Sequence, residues 1–579
     1  MKKNERAKYL GIDIGGTWIK GTIVDEQFFQ IDKTSKLKHF QVEKINSPLH
    51  AKATLLEFVE ALKELIAYFN IEPEEIKGIG ISTAGIINYH GTKVLKAAAH
   101  LNILKNNSWK RALEKQLQCS AAVINDGDAA TIGLAETGFL TGNKTVGIMP
   151  IGTGLGFTVW RNGRRWRPGK SLTLLGSIRT PEDIFDSIAS AAKLASLDEY
   201  NNLINVLTKT SFQKERESYI QNLVKVINSA AILYSLDDVI ICGGLADAAN
   251  ACSYPLEQVL NDSLQEPPVE LETSVKVVVA REGNRLQLIG ALALAKGESI
   301  AIQNKIVPCY NSLDTEIPYR KEMQLQNMQT LSIIETLWQA EQEAGDLLRT
   351  SLPIISDIAD ESVTRIKAGG RIIYIGAGTS GRIAAMDAVE IPCTYGFPED
   401  RILALIAGGV SDASIEIESD FEEDASAVPE MLLLNIQPED VVLGISASGA
   451  AYYVQSALAF AKDRRALSVL IQTKLPDTEL PFCDYVISLN SGNEVVAGST
   501  RMKAGTATKK VLNFLSSTIM IKMGKVAGPY MIDVACINNK LVERAQSILK
   551  ILYNIDKEDA LEKLKSTDMN LRQVIKNIQ

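Results

Sequence analysis

Several short segments combine glycines with side chains that can handle phosphate. Asp13-Ile14-Gly15-Gly16-Thr17 ends one β-rich run and opens a second, Ile19–Val24. Glycines let backbone amides approach an anion, Thr17 adds a hydroxyl donor, and Asp13 can hold hydrated Mg²⁺. Ile151-Gly152-Thr153-Gly154-Leu155-Gly156 is a second loop of this kind. Ile241-Cys242-Gly243-Gly244 ends a strand in paired glycines, which suits a flat base and ribose. Val123-Ile124-Asn125-Asp126 ends a strand with a carboxylate beside an amide. An Asp in that place can accept a sugar hydroxyl proton during phosphoryl transfer.

Later in the chain the loops change character. Gly376-Ala377-Gly378-Thr379-Ser380-Gly381-Arg382, Ser446-Ala447-Ser448-Gly449 and Gly498-Ser499-Thr500-Arg501-Met502-Lys503 are rich in hydroxyls, and each leads into a helix. Helix N-termini with hydroxyls make an anion site that needs no metal. Any one such loop could be only a Ser/Thr helix cap, but three in one domain are hard to explain by capping. The first also fits the G-x-G-x-x-G pattern of dinucleotide sites. That reading needs an acidic residue at the end of the next strand. Asp400 instead precedes the strand Ile402–Ala407, and Thr379 and Ser380 put hydroxyls where bare backbone is favoured.

The available acid–base groups are restricted. There are 4 histidines (His39, His50, His90 and His100), so nothing after His100 can use imidazole. Carboxylates, Lys, Tyr or Cys must act there, and a histidine-ligated zinc site is excluded. The 7 cysteines are scattered, which suggests neither a thiolate cage nor a disulfide framework. They fit a reducing compartment, and a cytoplasmic location is expected. The net charge of −8 and the lack of a basic stripe argue against nucleic acid. No apolar run approaches the ~18 residues of a membrane span, and the basic N-terminus lacks the features of a signal peptide.

The elements that position these residues follow from periodicity. Thr54–Tyr68 reads as an amphipathic helix, Gly78–Ser82 and Val239–Cys242 as buried strands, and Gly290–Lys296 as a small-residue helix. Helices around Gln324–Leu348 and Ile354–Lys367 precede a second α/β unit, and Val534–Gln579 is a charged helical tail. No internal repeat is visible. With 579 residues the chain exceeds one core. The expected division is a two-lobed domain over 1–297, a linker over 298–315, a parallel-sheet domain over 316–530 and a helical subdomain over 531–579.

The first half resembles the ROK sugar kinases of the actin–hexokinase superfamily, over about residues 9–297. That resemblance implies a ribonuclease H-like two-lobed kinase. Asp13, Gly15, Gly16, Thr17, Gly152, Thr153, Gly154, Gly243 and Gly244 would bind ATP, with Mg²⁺ near Asp13 and Asp126 as base. Asn102 and Asn125 would contact the sugar, and Gly80–Asn88 matches a further family loop in altered form. The family's Gly-His pair and Cys-rich zinc loop are missing around Leu175–Ile178, so zinc is not expected. The repressor members carry a DNA-binding module, and only eight residues precede Tyr9.

The second half closely resembles the N-acetylmuramic acid 6-phosphate etherases of the sugar isomerase (SIS) fold, over about residues 314–579. The shared segments are Gly376–Arg382, Ile406–Gly409, Ser446–Gly449, Gly498–Lys509, Asn539–Val542 and the tail. The resemblance implies sugar-phosphate binding by Gly378, Thr379, Ser380, Ser446, Ser448, Ser499, Thr500 and Lys503. It implies Glu390 as acid and a second glutamate as base, without a cofactor. The second falls at Glu423 or Glu422, with Glu418 in the same acidic run, and that run also reads as a solvated helix face. The chain departs from the family at Ala450-Ala451-Tyr452, where an Arg is lost, and at Ile317-Pro318. The glucokinase regulatory protein is a more distant relative with a binding role.

Together the resemblances imply an α/β chain: an actin/hexokinase-like kinase, then an SIS-type parallel-sheet domain with a helical tail. They imply a bifunctional amino-sugar recycling enzyme, a sugar 6-kinase joined to a lyase that removes D-lactate. The alternative is an SIS half that senses a sugar phosphate and regulates the kinase. Small sugars and sugar phosphates are the expected partners, with no nucleic acid and no membrane, and a homodimer is expected by analogy.

Overall fold

The computed structural model describes residues 8–15, 18–47, 55–87, 94–96, 114–115, 119–140, 144–166, 185–199, 202–264, 275–281, 283–306, 316–408, 425–474, 479–533, 536 and 539–578. The chain divides into two compact units, residues 1–302 with 428–435, and 303–427 with 436–579.

The first unit holds two five-stranded sheets of the same topology. In chain order the first sheet uses Lys8–Ile14, Trp18–Asp25, Glu43–Asn46, Ile76–Thr83 and Ser120–Asn125. The second uses Val146–Pro150, Thr158–Arg161, Arg164–Trp166, Asp238–Cys242 and Lys276–Val279. Numbered within its own sheet, each set has the spatial order 3-2-1-4-5. In each, strands 1 to 3 form an antiparallel meander and strands 4 and 5 run parallel to strand 1. The architecture is thus duplicated, although no repeat is visible in the sequence. Topology is set by which strands pair, and different residues can satisfy the same pairing.

The helix Gly283–Gln303 holds the centre of this unit through backbone-to-backbone approach. A Cβ on Gly80 would lie 1.7 Å from the Ala291 carbonyl oxygen, one on Gly133 2.0 Å from that of Leu286, and one on Gly290 2.0 Å from that of Ala129. The helix passes the expected linker boundary at 297. Gly297, Glu298, Ser299 and Ala301 are buried within it, and this packing outweighs the ~1 kcal/mol helix penalty of Gly297.

In the second unit five parallel strands, Ile372–Gly376, Ile402–Ile406, Val441–Ile445, Leu467–Gln472 and Tyr485–Ser488, stand in the order 2-1-3-4-5. The Val/Ile/Leu-rich runs of the three central strands are buried throughout, as helices cover a parallel sheet, and the two edge strands are partly half-buried. Helices Leu352–Lys367, Gly378–Tyr395 and Lys503–Lys522 contribute to its core. The tail helices Asn539–Tyr553, Lys557–Lys565 and Leu571–Ile578 close over a core of their own that includes Ile548, Leu549, Leu564 and Val574. Among the described residues no helix is long and apolar enough to cross a membrane.

Candidate functional site

The sheet register of the first unit assembles a charged corner. Asp13 lies directly opposite Lys20 on one neighbouring strand and Ser82 on the other, so the three share a face. Ser82 Oγ donates to Asp13 Oδ1 at 2.9 Å, and Lys20 Nζ stands 3.7 Å from Asp13 Oδ2. Asp126 opens the helix Asp126–Glu136, whose cap is Asn125. Asn125 Oδ1 accepts from the amides of Gly127 and Asp128, at 2.9 and 3.3 Å, and its Nδ2 donates to the Gly85 carbonyl at 2.9 Å. Both ends of the amide are therefore held by backbone. Asn125, expected to contact sugar, acts here as a cap that fixes Asp126.

Burial, and next the charge of Asp13, push the Asp126 carboxyl up to about 6, against the lowering effect of the Gly127 amide bond. This sets Asp126 between acid and base near neutral pH, as a general base requires. A third carboxylate, Asp247, was missed in the sequence. Burial raises it while Lys20 opposes the rise, and its Oδ2 accepts from the Asn284 amide at 3.1 Å. The available signal was its place one turn beyond Gly244, on the helix Gly244–Ala251.

The two later glycine loops abut. Ile151 N–H donates to the Cys242 carbonyl at 2.9 Å, and Leu245 N–H donates to the Ile151 carbonyl at 3.0 Å. Gly243 has φ +84°, and a Cβ there would lie 3.0 Å from the Ile151 oxygen. Gly152 closes its turn by donating to Gly154 at 2.9 Å, which leaves Thr153 at the tip. Gly15 donates to Trp18 at 3.0 Å. Gly16, Thr17 and Asn102 lie outside the described residues. The corner supplies oxygen donors, which suits Mg²⁺. Among the described residues no three His, Cys, Asp or Glu side chains stand close enough to hold a metal by themselves. Mg²⁺ would therefore rely on nucleotide phosphates beside Asp13.

In the second unit the order 2-1-3-4-5 has its switch point between Ile372–Gly376 and Val441–Ile445. Ligands of such sheets bind outside the strand ends at that point. The first two hydroxyl loops leave these two strands. Gly376 and Gly381 pass so closely that a Cβ on the former would lie 2.7 Å from the latter. Gly378, with φ +52°, opens the helix, and Thr379 and Ser380 in its first turn are half-buried. In the second loop Gly449 N–H donates to the Ser446 carbonyl at 3.0 Å, and the Ala450 and Ala451 amides donate to Ser448 Oγ and Ser446 Oγ at 3.1 and 3.5 Å.

The third loop differs from expectation. Glu494, 0% exposed, accepts from the amides of Lys503 and Ala504 at 3.1 and 2.9 Å. A protein carboxylate thus occupies the helix N-terminus that was expected to take an anion. The Lys503 ammonium is buried as well, 5.0 Å from the Tyr319 ring centroid. Burial lowers its pKa, while Glu494, Glu343 and Glu341 oppose the shift. Ser499 and Thr500 remain partly exposed. This helix still meets the first loop, since a Cβ on Gly505 would lie 3.9 Å from Thr379 Cγ2.

Glu390 is not brought to these loops. It lies 12 residues beyond Gly378, ~18 Å along the same helix, and its side chain is 60% exposed. Lys509 Nζ stands 3.4 Å from Glu390 and 3.2 Å from the buried Asp387, which accepts from Tyr374 OH at 2.9 Å. Glu418, Glu422 and Glu423 lie outside the described residues.

Comparison with known proteins finds a different family in each half of the chain. The ROK family model matches residues 9–173, and the model of the glucokinase regulatory protein N-terminal SIS domain matches residues 354–462. An N-acetylmuramic acid 6-phosphate etherase of Petrotoga mobilis is 41% identical over 262 residues, covering 45% of this chain and 87% of that protein. The chain belongs to the N-acetylmuramic acid 6-phosphate etherase family. An etherase of Pseudothermotoga lettingae is 37% identical over 262 residues, 45% of this chain and 88% of that protein. A ROK family glucokinase of Streptomyces griseus, solved with glucose and AMPPNP, covers 50% of this chain and 99% of its own, with 20% identity and a TM-score of 0.39. The chain thus joins a ROK domain to an SIS domain of the etherase family.

Proposed function

We propose that the chain carries out two consecutive reactions of amino-sugar recycling. The first unit transfers the γ-phosphoryl group of ATP to O6 of N-acetylmuramic acid or a related sugar. The second converts N-acetylmuramic acid 6-phosphate into N-acetylglucosamine 6-phosphate and D-lactate. The observation that carries the second reaction is the pair of hydroxyl loops at the switch point, in a domain of the etherase family.

In the kinase, Asp126 accepts the O6 proton as the oxygen attacks phosphorus. Asp13 would hold hydrated Mg²⁺, which when bound would neutralise charge on the phosphates. Asn125 fixes the Asp126 backbone, and the abutting glycine loops cradle the nucleotide.

In the etherase, the sugar opens to its aldehyde. A carboxylate removes the acidic C2 proton, and a carboxylic acid protonates the lactyl oxygen as the C3–O bond breaks. Water then adds to the unsaturated aldehyde at C3. Glu390 is one of the pair and acts as the acid, with Glu422 or Glu423 as the other. Met386 and Val389 beside it are 44% and 69% exposed, an apolar flank that favours cover by a second copy. A homodimer then brings Glu390 to a partner's loops.

Release of D-lactate from N-acetylmuramic acid 6-phosphate, abolished by Glu390→Gln, tests this reading. A second reading, a sensor that only binds sugar phosphate, is favoured by the exposure of Glu390 and by the match to a regulatory SIS domain. Binding without lactate release would select it.

A further inference from the structure

Residues 304–306 follow the helix Gly283–Gln303, belong to the second unit, and lie against the second hydroxyl loop. Gln455 holds them there. Its Oε1 accepts from the Ile306 amide at 3.0 Å, and its Nε2 donates to the Ile306 carbonyl at 3.1 Å and to the Gly449 carbonyl at 2.8 Å. Gln455 is 2% exposed. A buried amide is costly unless its bonds are made, so these bonds clamp the segment to the loop. One residue earlier, Lys305 Nζ stands 4.3 Å from the centroid of the Tyr452 ring. Tyr452 is the first residue of the helix Tyr452–Asp463, which this loop launches. The cation–π contact places the ammonium at that end of the helix.

The loop lacks a charge of its own. No Lys or Arg occurs from Ser446 through Ala461. The Ser446 and Ser448 hydroxyls can donate hydrogen bonds to a phosphate dianion but leave most of its charge uncompensated. Lys305 is exposed, and among the described residues it makes no ion pair.

We propose that Lys305 is the phosphate-binding cation of this loop, supplied by the segment between the two halves and positioned by Gln455 and Tyr452. The proposal rests on the sugar-phosphate reading of the loop. It makes the segment 304–306 part of the second site rather than a passive tether.

Calorimetric titration of the full chain with N-acetylglucosamine 6-phosphate tests it, because that probe has a phosphate and no lactyl carboxylate. Lys305→Met keeps the length of the side chain and removes its charge, and should weaken binding about tenfold, the worth of one charge-assisted hydrogen bond. Lys305→Arg should stay within about threefold of the parent, since Arg also binds phosphate. Gln455→Leu should weaken binding as Lys305→Met does, with a thermal melt reporting whether it folds. Unchanged affinity in Lys305→Met overturns the proposal, as does a parent chain that binds no sugar phosphate. Weakened binding of N-acetylmuramic acid 6-phosphate alone also overturns it, because the cation would then face the lactyl carboxylate. A parent that binds the probe in a Lys305-dependent way yet releases no lactate contradicts the etherase reading and leaves Lys305 in place.

Discussion

Asp126 and Glu390, the two candidate catalytic carboxylates, have opposite surroundings. Asp126 opens a helix capped by Asn125, in a corner with Asp13 and Lys20, and its pKa is tuned by residues of its own unit. Glu390 stands 60% exposed on a helix face, touched by Lys509 and flanked by exposed apolar side chains. A carboxylate tuned by burial needs nothing added to the fold. An exposed one needs a surface brought to it before water is excluded and its chemistry changes. On the proposed function, the kinase corner is built by one copy and the etherase site by two.

The largest expected effects separate the two halves. Asp126→Asn should lower ATP-dependent sugar phosphorylation by about 10³-fold, the middle of the range for a general base, and leave lactate release from supplied N-acetylmuramic acid 6-phosphate unchanged. Glu390→Gln should do the reverse by a similar factor. Paired assays on the two variants check both, and a variant that damages both reactions equally would break the comparison.

Gly80→Ala comes next. Its Cβ would meet the Ala291 carbonyl oxygen at 1.7 Å, a backbone clash that side chains cannot relieve. It should cost about 3 kcal/mol or more and unfold the first unit. Differential scanning calorimetry should show one transition lost or lowered, while lactate release persists.

The pH dependence sharpens the contrast. With its carboxyl pushed up to about 6, Asp126 is protonated below that value, and the kinase kcat/KM should fall about tenfold per pH unit there. The sign for stability is opposite to that of a salt-bridged acid. The folded-state value lies above the ordinary value of about 3.9, so the ionised group opposes folding, fully above pH about 6 and not at all below about 4. Asp126→Asn should therefore raise Tm by a few degrees at pH 7 and not at pH 4. The smallest effect is expected for Glu494→Gln, which weakens a helix cap. A loss of about 1 kcal/mol, read from urea midpoints, is the outcome.

Much of the fold was legible because local patterns carry it. Apolar runs ending in glycine loops located the strands around Asp13, Ile151, Gly376 and Ser446, and the periodicity of Thr54–Tyr68 located the observed helix Leu55–Ala67. The non-local features were not legible. The repeated 3-2-1-4-5 order depends on strand pairing, which no local window contains. The cap by Glu494 comes from a residue nine positions before its helix, so the third loop read as an open anion site. The stretch from Gly297 reads as linker because it is polar and irregular in sequence, whereas the helix runs on to Gln303 with Gly297, Glu298 and Ser299 buried in it. The motif resemblance singled out Glu390, but its distance from the phosphate loops follows only from the helix rise.

The central claim is that both reactions reside on this one chain and run in sequence. The most direct measurement is D-lactate formed by the full chain from N-acetylmuramic acid and Mg-ATP, followed together with ADP. The account predicts lactate and ADP in equal amounts after a lag. It further predicts that Asp126→Asn stops both products and Glu390→Gln stops lactate alone. If N-acetylmuramic acid 6-phosphate, supplied directly, gives no more lactate than the Glu390→Gln variant does, the account is contradicted.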